Sequence, residues 1–228
     1  MSEIIDFYSF VNGGKKQKMD KSFKNHGIEP ASHILCIGGT GSGKSTALLN
    51  FIHLKPHFFR ILIYAPSTDP LYELLKERIP DVEIYNDINE FPELSEIDNS
   101  EDSKDMVSEE KLVVFDDFIN LKSKEMRKIN DYLIAGRKKH ISVFLMAQNY
   151  TSVPKLITRN INYFIIFKLN DNVSIRNIVK NHNISEMSLD EIKRIYHQCT
   201  EKPKNFFMID LKTGDGLKKF RHNFIGYI

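Results

Sequence analysis

The stretch Gly38-Gly39-Thr40-Gly41-Ser42-Gly43-Lys44-Ser45 constrains this chain more than any other. It fits the pattern G-x-x-x-x-G-K-[ST] and lies between an apolar run and a helical pattern. Glycines in such a turn let successive backbone N–H groups converge on the oxygens of one anion, and the helix that follows presents its positive end to the same anion. The expected ligand of Gly38 to Thr46 is therefore the phosphate chain of ATP, with Lys44 reaching the β- and γ-phosphates. Ser45 is placed to offer its hydroxyl to a Mg²⁺ ion bridging those phosphates.

From His33 onward, strand-like and helix-like segments alternate. Apolar runs fall at 33–37, 60–65, 111–115, 141–147 and 162–169, with a short run at 82–85. Helical patterns fall at 44–54, 70–79, 123–138, 172–182 and 189–199; Asp69-Pro70 starts the second, and Ser188 with Glu191 forms a capping box for the last. Alternation of this kind predicts an α/β fold with a mainly parallel central sheet flanked by helices. Its interior strands are unbroken apolar runs because both of their faces are covered. At the end, β-prone runs 205–211 and 218–225 flank Thr213-Gly214-Asp215-Gly216 and predict a C-terminal β-hairpin.

With 228 residues, 41% hydrophobic and 27% charged, the chain has material for one core, assigned to residues 31–228. Residues 1–30 carry Lys15, Lys16, Lys18, Lys21 and Lys24 around a Gly13-Gly14 break and read as a basic N-terminal extension. Residues 95–110 are rich in acids, lack aromatics, and read as an acidic surface loop. A net charge of +2 is too near neutral to advertise a polyanion partner by itself. The two cysteines, Cys36 and Cys199, lack a Cys-x-x-Cys spacing, which excludes a disulfide framework and a zinc cluster. No apolar window reaches membrane-spanning length, so membrane insertion is not expected.

A second motif, Lys111-Leu-Val-Val-Phe-Asp116-Asp117, is an apolar strand that ends in two carboxylates. In a Walker B element the first acid holds Mg²⁺ through its water shell, the role expected of Asp116. The second, Asp117, is expected to act as the base for an attacking water. The run 141–147 delivers Gln148 to the same sheet edge, where it can sense the γ-phosphate, orient water, or simply satisfy the strand end. Arg137, in Gly136-Arg137-Lys138-Lys139-His140, suits either the negative end of a helix or an arginine finger acting in a neighbouring subunit; Arg159 is the second candidate finger.

These motifs resemble those of the FtsK/HerA superfamily, and most closely the genome-packaging ATPases of poxviruses, other large DNA viruses and virophages. The family-specific part is the run Ala135-Gly-Arg-Lys-Lys-His-Ile-Ser-Val-Phe-Leu-Met-Ala-Gln148-Asn-Tyr-Thr-Ser-Val-Pro154, followed by Arg159-Asn-Ile-Asn-Tyr-Phe-Ile-Ile-Phe. The resemblance implies a RecA-like P-loop NTPase whose sensor strand is inserted between the P-loop and Walker B strands. It implies a Mg-dependent ATPase, a homo-oligomeric ring, double-stranded DNA as the load, and a capsid or portal-vertex protein as partner. It places the protein in the cytoplasm or virus assembly site of an infected cell, or in the virion. Asp117 departs from the Glu of many superfamily members.

Lys202, Lys204, Lys218, Lys219 and Arg221 interleave with Phe206, Phe207, Phe220 and Phe224. They read either as a nucleic-acid surface or as a hairpin with aromatics inward and cations in solvent. Two other functions share the P-loop: a nucleotide or small-molecule kinase, and a nucleotide-dependent assembly switch. The kinase fits less well, because the long acidic insertion would repel a phosphorylated acceptor and no arginine-dense lid is visible.

Overall fold

The computed structural model describes residues 23–55, 58–97, 110–171 and 173–228. Six strands run parallel: β1 (His33–Ile37), β2 (Arg60–Tyr64), β3 (Val82–Tyr85), β4 (Lys111–Asp116), β5 (Ile141–Ala147) and β6 (Tyr163–Ile166). Three more, β7 (Phe207–Asp210), β8 (Phe220–His222) and β9 (Gly226–Tyr227), extend the sheet antiparallel. The order is β3-β2-β4-β5-β1-β6-β7-β8-β9. β5 therefore lies between β1 and β4, as the resemblance implies for the sensor strand.

Alternate side chains of each strand feed opposite apolar layers, as the two-residue period of a strand requires. Leu35, Ile37, Val113 and Phe115 pack with Ile129, Leu133, Ile178 and Ile192 on one face. Ile34, Cys36, Leu112 and Val114 pack with Leu48, Phe51, Ile52 and Tyr72 on the other. Helices Ser123–Ala135, Val173–Asn181 and Leu189–Cys199 cover the first face, and Lys44–Leu54 and Pro70–Arg78 cover the second. With both faces sealed, functional groups are left to the strand ends.

Some boundaries differ from expectation. The helix expected over 123–138 ends at Ala135; Gly136–Lys139 tighten into a 3₁₀ turn, and His140 at φ 55° reverses the chain into β5. β6 stops at Ile166, beyond which Leu169 N donates to the Tyr196 hydroxyl at 2.7 Å. The C-terminal hairpin is opened by an excursion, because the Asp210 carboxylate accepts from Lys212 N and Thr213 N and turns the chain out of the sheet.

Of the acidic segment 95–110, residues 98–109 lie outside the described residues, while Ile97 and Glu110 are buried. Glu110 pairs with buried Lys55 and accepts from Ala31 N and the Ser142 hydroxyl. Of the basic segment 1–30, residues 1–22 lie outside the described residues. His26 and Ile28 are buried, and Arg221 Nη1 donates to His26 O at 3.2 Å and Gly27 O at 3.0 Å.

Candidate nucleotide-binding site

In a parallel sheet the loops that follow the strands share one edge, so the residues after β1, β2, β4 and β5 must meet there. The registers pair Ile37 with Ala147 and Asp116 with Met146, which brings the P-loop, Asp116 and Gln148 to one end of the sheet. Gly38 leads the chain out of β1. A Cβ there would stand 2.4 Å from Ser42 Oγ and 2.8 Å from Phe167 Cβ, so no larger residue fits. Gly43 sits at φ 113° directly before the helix Lys44–Leu54, a backbone conformation open to glycine and to few other residues.

A cleft of about 350 Å³ opens over this loop. Thr40, Gly41, Gly43, Lys44, Ser45 and Thr46 line it together with Asp116, Asp117 and Gln148. Gly38, Gly39 and Ser42 complete the turn without lining the cleft. Lys44 Nζ donates to Gly38 O at 2.7 Å and Gly39 O at 3.1 Å, so its ammonium is held over the loop. The first helical turn carries no acidic residue that would offset its positive end.

The carboxylates differ in their surroundings. Asp116 is partly buried, and desolvation pushes its pKa above the ordinary carboxylate range, while the Tyr72 hydrogen bond and the Lys44 charge pull it back. The Tyr72 hydroxyl donates to Asp116 Oδ2 at 2.8 Å. Asp117 stands at φ 46°, where the chain turns from β4 into the 3₁₀ turn Phe118–Asn120, and this turn aims the second carboxylate into the cleft. Cys36, on β1 below the loop, is fully buried and its thiol is pushed far up by desolvation, which leaves it unreactive.

Of the lining residues outside the sequence motifs, two are charged, Asp69 and Lys204. Asp69, read from sequence as a helix cap, does accept from Leu71 N at 2.9 Å, but its other oxygen accepts from the Ser45 hydroxyl, also at 2.9 Å. Its position just after β2 is the signal that a parallel sheet offers for finding it. Lys204 enters from the segment before β7, which starts at the carboxyl end of β6 because Ile166 pairs with Phe207. A Cβ at Gly43 would stand 3.4 Å from Lys204 Cβ, which places this lysine on the β6 side of the loop, opposite the carboxylates.

Arg137 and Arg159 do not line the cleft. Both are exposed and lie near the amino ends of the strands: the pKa of His33 is lowered chiefly by burial and further by the nearby Arg137 charge, and Asn160 O bonds His33 Nδ1 at 2.8 Å. The hairpin reading that places aromatics inward matches the structure. Phe206, Phe207, Phe220 and Phe224 are buried, Arg221 is buried against Asp210, Lys219 pairs with Glu186, and Lys218 pairs with Asp215. Arg221 is thereby withdrawn from any nucleic-acid surface.

Ser45 and the carboxylates around it offer oxygens to a cation, and among the described residues no group of three His, Cys, Asp or Glu side chains could hold a metal ion by itself. Such a sparse, hard donor set suits Mg²⁺, which keeps most of its waters and borrows phosphate oxygens. No helix among the described residues is long and apolar enough to cross a membrane.

A doubly covered parallel sheet with a glycine-rich phosphate loop on one strand, paired carboxylates two strands away, and the strand leading to Gln148 between them defines a RecA-like P-loop NTPase. The chain belongs to the family described as Poxvirus A32 protein, whose family model matches residues 20–210. Among solved structures it is similar to B204, the DNA-packaging ATPase from Sulfolobus Turreted Icosahedral Virus, at 16% identity and TM-score 0.58 over 86% of this chain and 98% of that one. The genome packaging NTPase B204 of Sulfolobus turreted icosahedral virus 2, in complex with AMPPCP, matches at 16% identity and TM-score 0.55 over 84% and 96% of the two chains. The cytoplasmic domain of the Thermomonospora curvata Type VII Secretion ATPase EccC matches at 15% identity and TM-score 0.56, over 86% of this chain and 25% of that one. At these identities the likeness is one of fold. No curated protein matches the chain in sequence.

Proposed function

We propose that this protein is an ATP-hydrolysing motor that drives double-stranded DNA into a viral capsid, working as a homo-oligomeric ring docked on a capsid or portal-vertex protein in the infected cell. The observation that carries the reading is the convergence of Lys44, the pair Asp116 and Asp117, and Gln148 on one cleft from three adjacent strands. Family membership and the fold shared with B204 support the choice of motor over kinase or switch.

In this mechanism the backbone N–H groups of the loop and the helix end at Lys44 bind the phosphates, and Thr46 and Lys204, which line the same cleft, add donors to them. Lys44 moves its ammonium from the Gly38 and Gly39 carbonyls onto the β- and γ-phosphates. Ser45 and Asp116 would hold Mg²⁺, which when bound neutralises charge on the phosphate oxygens. Asp117 accepts the proton of a water that attacks the γ-phosphorus in line with the departing ADP, and Gln148 fixes that water. Arg137 of a neighbouring subunit, or Arg159, supplies the planar cation that steadies the transition state. Among the described residues no arginine of the same chain lines the cleft.

ATP turnover measured with and without duplex DNA tests the proposal. DNA should stimulate turnover, Lys44→Ala should abolish nucleotide binding or hydrolysis, and Asp117→Asn should bind ATP yet fail to turn it over. Full activity in Asp117→Asn removes it from the base role. Phosphate appearing on a nucleoside monophosphate instead of free in solution marks the chain as a kinase.

A further inference from the structure

We infer that Asp69 belongs to the metal site as a positioning residue: it accepts the hydrogen bond of the Ser45 hydroxyl and so turns that oxygen's lone pairs toward the bound cation. The inference rests on the nucleotide-site reading above and adds to it a residue that neither motif contains. A serine hydroxyl has one proton and two lone pairs, and it coordinates a cation well only when the proton has an acceptor elsewhere. Ser45 Oγ donates to Asp69 Oδ2 at 2.9 Å. Asp116 Oδ2 accepts instead from the Tyr72 hydroxyl at 2.8 Å, and Asp69 is the carboxylate that accepts from the serine.

A helix cap alone needs one oxygen, and Asp69 Oδ1 fills that need by accepting from Leu71 N at 2.9 Å. The second oxygen is turned into the cleft, where capping gives it no task. Both oxygens are engaged, and Pro70 at the first helical position stiffens the turn, so the carboxylate is held in one orientation. Tyr72 lies on the same helix and is 1% exposed. The segment Asp69–Tyr72 thus fixes both carboxylates, one through its own side chain and one through a phenol. Asp69 thereby adds its negative charge to those of Asp116 and Asp117 around the cleft.

The test is titration of the full chain with a fluorescent ATP analogue in Mg²⁺ and, separately, in EDTA. The wild type should bind more tightly in Mg²⁺. Asp69→Asn keeps a good cap and should retain its affinity in EDTA while losing about tenfold or more of the Mg²⁺-dependent gain. Asp69→Ser, a second uncharged cap, should behave alike. Ser45→Ala should lose the same gain, and the double variant Ser45→Ala/Asp69→Asn should lose little more, because one residue acts through the other. Asp69→Asn and Asp69→Ser that keep the full gain while Ser45→Ala loses it would reduce Asp69 to a cap and overturn the inference alone. A wild-type chain that binds the analogue in neither buffer overturns the nucleotide site along with it.

Discussion

Lys55 and Glu110 are 2% and 1% exposed and form an ion pair beneath the amino ends of the strands. Removing one partner leaves the other charge stranded. In Lys55→Met, Glu110 keeps the Ala31 N–H and the Ser142 hydroxyl as donors but loses its cation. Breaking a buried pair in this way costs about 3–5 kcal/mol. In a domain of this size each kcal/mol is about 2–4 °C of melting temperature, so the drop should be roughly 6–20 °C. Lys55→Met/Glu110→Gln should recover most of the loss, since the carboxamide oxygen can still accept from Ala31 N and no charge remains buried. Urea unfolding of the four members of the cycle measures the coupling. Because Glu110 precedes β4 and the nucleotide cleft lies at its far end, nucleotide affinity of the folded fraction should not change. A Lys55→Met chain as stable as the wild type, or a double variant no better than the single, would refute the reasoning.

Two further outcomes are expected. If Arg137 acts across a subunit interface, mixing Arg137→Ala with Lys44→Ala subunits should restore part of the ATP turnover that each lacks alone; absence of rescue with both variants assembled would assign Arg137 to the end of its own helix. His33 and His182 both have pKa values lowered from 6.5, chiefly by burial, so below that pH the unfolded chain takes up protons that the folded chain does not. Stability should therefore fall as pH drops from about 7.5 to about 5.5, and the double variant His33→Gln/His182→Gln should show a shallower fall in melting temperature over that range. An unchanged slope in that variant would remove the imidazoles as its source.

The parts of this fold written locally are legible in the sequence. β1, β4 and β5 read as unbroken apolar runs because both faces of each are covered, and the phosphate loop declares itself because backbone convergence requires glycine at fixed spacing. What depends on meeting at a distance is not legible in the same way. The insertion of β5 between β1 and β4 is absent from any periodicity and follows only from the family likeness. Asp69 and Lys204 carry no motif; each reaches the cleft because of the strand it follows or precedes. Arg221 reads as one of a string of surface cations, and nothing local says that Asp210 and the main-chain carbonyls of His26, Gly27, Lys218 and Phe224 enclose it.

That enclosure sets the order in which the molecule can be finished. The oxygens of His26 and Gly27 wait for a guanidinium 195 and 194 residues further along. A nascent chain leaving the ribosome cannot close this seam until Arg221 has been synthesised. A chain stopped short of Arg221 would contain the phosphate loop, the paired carboxylates and Gln148, and would leave Asp210 without its cation.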